Sequence, residues 1–154
     1  RHPHYSVLHR RETYEQVMQQ MGLGQYVCVR NDETVDPFIE DFASGRNRPT
    51  AVICHDHVMA VYVRHACWKR GIRIPEDISL ACFNDVFPIE AMTPPITCIS
   101  LPGDQIGRMA ADMLLERIAR KQREPSYIST GPERKWVPEH LVVRESTSAP
   151  RKEG

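Results

Sequence analysis

The sequence lacks the features that would place this protein in a membrane or directly on a nucleic acid. It has no run of about 18 or more apolar residues, so no segment is predicted to span a bilayer. Its 20 basic residues are balanced by 20 acidic residues, and without a basic excess the chain alone is a poor candidate for binding a phosphate backbone. It opens with neither a signal peptide nor an initiator methionine, as expected of a fragment cut from a longer protein.

The sequence has no close pairing pattern of cysteines, and their odd count of five argues against a disulfide scaffold. Four of the five cysteines, Cys28, Cys54, Cys82 and Cys98, lie in strand-like apolar runs, and Cys67 lies in a helical stretch. We expect buried free thiols that act as small hydrophobic side chains in a reducing cytoplasm.

The usual catalytic motifs are also missing. There is no G-x-S-x-G elbow, P-loop or G-x-G-x-x-G, so no enzyme activity and no cofactor are expected. The run from Cys54 to His57 is rich in metal-ligand types, with Cys82 a further candidate, and a zinc site stays open as a minor alternative. Against zinc, Cys54 and His55 point to opposite faces of a strand, and neither C-x-x-C nor H-E-x-x-H occurs.

The 154 residues do show a regular alternation of short apolar strands and amphipathic helices, enough for one domain with a core. Asp104 is expected to cap the last helix, and a disordered tail is expected after Ser146. The nearly continuous apolar run at 50–54 is typical of a strand buried on both faces. The alternation predicts an α/β fold, a parallel sheet with helices on both faces. Strands are predicted at 25–30, 50–54, 78–83, 96–101, 136–137 and 141–143, and helices at 10–21, 35–42, 57–70 and 104–120.

Polar side chains follow three of the predicted strands directly. The three strand ends, each with its polar residues, are Arg30-Asn31-Asp32, Cys54-His55-Asp56 and Phe83-Asn84-Asp85. Ligands of parallel α/β sheets bind beyond the carboxyl ends of the strands, which makes these residues candidates for a binding site. The alternative is that Asp56 and Asp85 cap a helix and a turn, which would still leave His55 and Asn84 free to face a ligand.

An ordered series of motifs from Pro49 to Thr147 resembles the C-terminal half of the effector-binding domain of LacI/GalR-type transcription regulators. The last of these, Leu141 to Thr147, resembles the closing "LVVREST" of that family. The first third of the chain matches less well, although residues 10–14 resemble "RLEGF". The other segments are 49–60, resembling "PTAI-x-x-ND-x-MA"; 71–80, "G-x-x-VPEDISV"; 82–85, "GFDD"; 94–99, "PPLTTV"; and the helix around 107–115.

The resemblance implies a periplasmic-binding-protein-like fold of two α/β subdomains with a small ligand between them. Residues 1–146 would be a fragment of that domain, mainly its C-terminal subdomain. The helix at 103–122 would belong to the missing N-terminal subdomain, and residues 147–154 would be the tail. The apolar face of that helix should then need cover, and a second copy of the chain is one candidate for it.

Four ligand-binding residues can be carried over by resemblance. Arg10 matches an arginine that commonly contacts the effector, and a guanidinium suits sugar hydroxyls or a carboxylate. Asn84 stands where the family often has Asp, which removes a charge and adds a donor. His55 replaces the family's Asn, and Asp32 falls near a position that is often aromatic. Because three of these four positions differ from the family pattern, ligand identity cannot be inherited from it.

The function implied is a ligand sensor for a DNA-binding regulator, and the alternative is a sugar-binding protein of a transport system. The expected ligand is a small polar effector, sugar-like or purine-like. Expected partners are a second copy in a homodimer, with residues 86–92 as candidate interface, and DNA through a head domain absent from this chain. No membrane partner is expected, and the expected location is the cytoplasm.

Overall fold

The structure is a computed structural model that describes residues 5–29, 35–45, 49–128 and 131–150. The chain divides into two compact units, residues 1–99 with 141–154, and residues 100–140. The first unit contains the sheet and the predicted binding residues, and the second contains one long helix.

The sheet has four strands in the order β1-β2-β3-β4, namely Ala51–Cys54, Ser79–Phe83, Thr97–Ser100 and His140–Val142. The first three run parallel, with Cys54 beside Cys82 and Cys82 beside Cys98. The predicted parallel sheet is therefore confirmed. Its carboxyl ends bring residues 55–56 and 84–85 to the same edge.

Two helices cover one face of the sheet. Helix α2 (Val35–Ala43) contributes the buried Ile39 and Phe42, and α3 (His57–Lys69) contributes a stripe that includes Val63 and Cys67. These side chains pack against sheet residues that share one face because strand side chains alternate. The strand residues of this core are Cys54, Leu80, Cys82 and Cys98, together with Ile96 directly before β3.

Helix α1 (Tyr5–Gln20) has no buried residue, and it begins earlier than predicted. In the second unit, α4 (Gly103–Arg123) also has no buried residue, and its apolar side chains Ile106, Leu114, Leu115 and Ile118 are exposed. The prediction that Asp104 caps α4 is wrong. Pro102 occupies the cap position without a side-chain hydrogen bond, and Asp104 lies in the first turn, where its charge still favours the helix dipole.

Ser146 connects β2 to β3 in the sheet core. Its hydroxyl accepts from the backbone N–H of Thr97 at 2.8 Å and donates to the carbonyl of Leu80 at 2.6 Å. Its own carbonyl accepts from the Leu80 N–H at 2.8 Å. Ser148 follows with a backbone N–H bonded to the hydroxyl of Ser79 at 3.1 Å, so the described residues that begin the predicted disordered tail are bonded to the sheet.

Several sequence predictions fail where local bonding or an unpaired edge decides the structure. Residues 24–26 form a short 3₁₀ helix in place of a strand, because Tyr26 and Val27 donate their N–H groups to nearby carbonyls. The β1 strand is not buried on both faces, since it ends the sheet order and Ile53 is 60% exposed. No strand forms at 136–137, where Trp136 is 89% exposed.

Candidate functional site

Arg10 joins helix α1 to the carboxyl ends of β1 and β2. One guanidinium nitrogen donates to the carbonyl oxygen of His55 at 2.7 Å. The guanidinium carbon lies 4.1 Å from the ring centre of Phe83, so the cation stacks on the aromatic face. Arg10, His55 and Phe83 are all half-buried, which leaves part of this cluster open to solvent.

Asn84 follows Phe83 in a left-handed backbone conformation, with φ of 72°. This conformation costs little for Asn, whose short polar side chain tolerates it, and it would be strained for a bulky residue. The backbone N–H of Asn84 donates to the carbonyl of Ile99 at 3.0 Å, which fixes the turn to β3. The side chain is half-buried, and no hydrogen bond of its amide to another described residue is observed.

Asp56 and Asp85 are both engaged in contacts that hold the fold. Asp56 is the N-cap of α3, and its carboxylate accepts from the Met59 N–H at 2.8 Å. Its other oxygen lies 3.3 Å from the His55 Nε2. This confirms the capping alternative for Asp56.

Asp85 is not a cap but half of an ion pair. Both carboxylate oxygens accept from one nitrogen of Arg144, at 2.8 and 2.9 Å. The second nitrogen donates to the carbonyl of Ile96 at 2.9 Å and to the Cys98 sulfur at 3.1 Å. The two charged side chains are only 16% and 19% exposed. Arg144 therefore ties the turn after β2 to β3 and to the segment that follows β4.

The structure brings together three of the four predicted site residues, Arg10, His55 and Asn84, at one edge of the sheet. Asp32 lies outside the described residues. Sequence reasoning missed Phe83, which was assigned only to a strand. The available signal was its place as the last strand residue, with a side chain that alternates away from the buried Cys82 and can support a group at the sheet edge.

The cysteines are all unpaired in the described structure, and four of them are buried: Cys54, Cys67, Cys82 and Cys98. Burial raises the pKa of the Cys67 thiol to about 11 and that of Cys82 to about 12, so both stay protonated at neutral pH. The expected burial fails for Cys28, which is exposed because its segment does not join the sheet. Among the described residues no three Cys, His, Asp or Glu side chains converge in a group that could hold a metal.

The parallel sheet, with half-buried polar side chains at its carboxyl edge, defines an α/β domain of the ligand-binding type. The family model of the periplasmic binding protein-like domain matches residues 2–147. The PurR transcriptional repressor of Vibrio vulnificus is 36% identical over 123 residues, which cover 80% of this chain and 34% of that protein. A repressor of the same name from Escherichia coli is 37% identical over 94 residues, 61% of this chain and 28% of that protein.

Solved structures show the same fold. A LacI family regulator from Bifidobacterium animalis superposes with a TM-score of 0.70 at 28% identity, covering 92% of this chain and 50% of that one. A LacI family regulator from Enterococcus faecium, solved with bound ribose, gives a TM-score of 0.72 at 23% identity, over 95% of this chain and 52% of that one. The chain belongs to the periplasmic binding protein-like domain family, as part of a LacI/GalR-type effector-binding domain.

The chain spans about a third of the length of the curated relatives it matches. Within the described residues, none of the helices combines the length and the apolar character needed to cross a bilayer.

Proposed function

We propose that this chain is the ligand-sensing part of a DNA-binding transcription regulator and that a small polar effector binds at the carboxyl edge of its sheet. The observation that supports this most strongly is that Arg10, His55 and Asn84 lie at this edge, where Arg10 and Asn84 have side-chain donors with no acceptor among the described residues. Half-buried polar groups at this edge of a parallel sheet are where a ligand gains affinity and orientation.

The proposed mechanism is a ligand-driven shift between two conformations. An effector that binds one arrangement of the complete domain more tightly stabilises that arrangement by its difference in affinity. The change would reach DNA through a head domain that is not in this chain. Two heads in a homodimer would suit two half-sites on DNA.

The homodimer is part of this proposal, with residues 86–92 as candidate interface. The loop carries Val86 and Phe87, which are exposed apolar side chains. In the full protein, we propose that the apolar face of α4 packs against a part of the protein that is not included in this chain. In this chain by itself, a second copy would cover that face. Analytical ultracentrifugation of the chain should show self-association that Leu114→Glu weakens. A monomer at all concentrations would contradict the proposal that a second copy covers α4.

Regulation is favoured over transport because the relatives named above are transcriptional repressors. For the same reason we propose a sensor without enzyme activity, located in the cytoplasm with the DNA it would control. A signal peptide upstream in the complete gene would instead support the transport alternative.

A thermal-shift screen of sugars, sugar phosphates and purines tests the proposal on protein expressed from the complete gene. An effector at a hundred times its Kd should stabilise the domain by about 2.7 kcal/mol through mass action. Arg10→Ala should abolish that shift. Arg11→Ala is the matched control, since Arg11 is the next residue on α1, is exposed, and pairs with Glu15 at 2.7 Å. A shift that survives Arg10→Ala unchanged would refute the placement of the site.

A further inference from the structure

The candidate site offers many more free hydrogen-bond donors than free acceptors. A guanidinium carries five N–H groups, and among the described residues the only acceptor found for Arg10 is the His55 carbonyl. The guanidinium carbon lies over the Phe83 ring, 4.1 Å from its centre, and the ring offers no lone-pair acceptor to the other N–H groups. The Asn84 amide adds two more donors and one acceptor oxygen without a partner among the described residues.

The carboxylates that could balance these donors are already engaged. One Asp56 oxygen accepts from the helix backbone and the other faces His55. Both Asp85 oxygens accept from Arg144. Within the described residues of this edge, the Asp56 oxygens have partners although Asp56 keeps its negative charge, Asp85 is neutralised by Arg144, and the open side-chain groups are mainly the donors of Arg10 and Asn84.

We infer that the effector is a small anion whose phosphate or carboxylate oxygens accept hydrogen bonds from Arg10 and Asn84. This inference rests on the proposed function, because it specifies the chemistry of the ligand at the same site. A neutral polyol needs acceptors for its hydroxyl hydrogens, and with both carboxylates engaged the Asn84 amide oxygen is the main open side-chain acceptor among the described residues of this site. An anion needs donors and a cation, and a guanidinium with its planar edge suits an oxyanion particularly well.

The identity of residue 84 also bears on the charge of the ligand. Asp and Asn both tolerate the left-handed backbone found there, so the turn can be kept with either side chain. Asp would place a negative charge beside the proposed anion, whereas Asn adds no charge there. The choice of Asn84 therefore acts on ligand charge and not on the fold.

Matched probes test the inference on protein expressed from the complete gene. Isothermal titration calorimetry compares the affinities of four probes. Glucose is the neutral ligand, glucose 6-phosphate carries a phosphate, glucuronate carries a carboxylate, and inorganic phosphate is the ion without a sugar. We expect at least one of the sugar anions to bind more than about tenfold tighter than glucose, as charge-assisted hydrogen bonds are stronger than neutral ones. Whether the phosphate or the carboxylate is preferred follows from comparing glucose 6-phosphate with glucuronate.

Two variants locate the effect. Arg10→Gln should remove the preference for anions, while Arg11→Gln, with the same loss of charge one residue away, should keep it. Asn84→Asp should weaken anion binding by about tenfold or more and leave glucose binding no weaker. An anion preference that survives Arg10→Gln would place the ion elsewhere and overturn the inference.

The possible failures are distinguishable. If glucose binds as well as its anionic counterparts and Arg10→Gln weakens it, the anion inference is wrong and the proposed sensor function stands. If all four probes fail to bind, the anion inference is overturned. If the wider screen of sugars and purines also gives no Arg10-dependent shift, the proposed function fails with it.

Discussion

Replacing Arg144 by Met tests how strongly one ion pair stabilises the edge of the sheet that carries the candidate site. Met keeps much of the side-chain volume and removes the charge, which leaves Asp85 buried without its partner. Four hydrogen bonds are lost, two to Asp85 and one each to Ile96 and Cys98. Removing one partner of a buried pair costs 3–5 kcal/mol, and since this pair keeps some exposure we expect about 3 kcal/mol.

Urea denaturation of the protein from the complete gene measures this loss as a lower midpoint with an unchanged slope. Arg73→Met is the matched control, because Arg73 also pairs with an aspartate, Asp77 at 2.7 Å, but is 68% exposed. The control should lose less than about 1 kcal/mol. Asp85→Asn should destabilise the unmodified protein but stabilise the Arg144→Met variant, since it removes the unpaired charge. A loss for Arg144→Met no larger than the control would refute this reasoning.

The remaining predictions concern the tail, the helix cap and the thiols. Ser146→Ala should destabilise by about 2–4 kcal/mol, because it leaves a buried N–H and a buried carbonyl unbonded, whereas the exposed Ser44→Ala should change little; urea midpoints compare them. Asp56→Ala should cost about 1 kcal/mol by the same measurement, and Asp56→Asn should restore the cap. At pH 8 a thiol-reactive dye should label Cys28 within minutes and the four buried cysteines only in urea, because burial raises their pKa and keeps them protonated; rapid labelling of all five would contradict this.

The regular elements of the sheet unit could largely be predicted from the sequence. The helices α2 and α3 and the strands β1 to β3 follow from the spacing of apolar residues. Gly71, with φ of 68°, follows the C-terminal cap of α3, which is the position where helices often have a glycine. The strand predictions that failed depended on which segments lie next to each other in the fold, and the local sequence does not show this. A strand-like composition at 25–30 does not supply a partner strand, and an apolar run at 50–54 does not reveal that the strand ends the sheet.

The candidate site was predictable in part, for the same reason. His55 and Asn84 follow strands directly, so topology alone brings them to one edge. The partner of Asp85 was not predictable, because Arg144 lies 59 residues further along the chain and nothing local marks the pair. The stacking of Arg10 on Phe83 likewise depends on how α1 meets the sheet, and no spacing in the sequence determines that contact.

A crystal structure of the complete effector domain with its bound effector tests the central claim most directly. We predict a ligand oxygen within about 3 Å of the guanidinium of Arg10 and another within reach of the Asn84 amide. A ligand bound elsewhere, with Arg10 still bonded only to the His55 carbonyl and Asn84 facing solvent, would contradict the account.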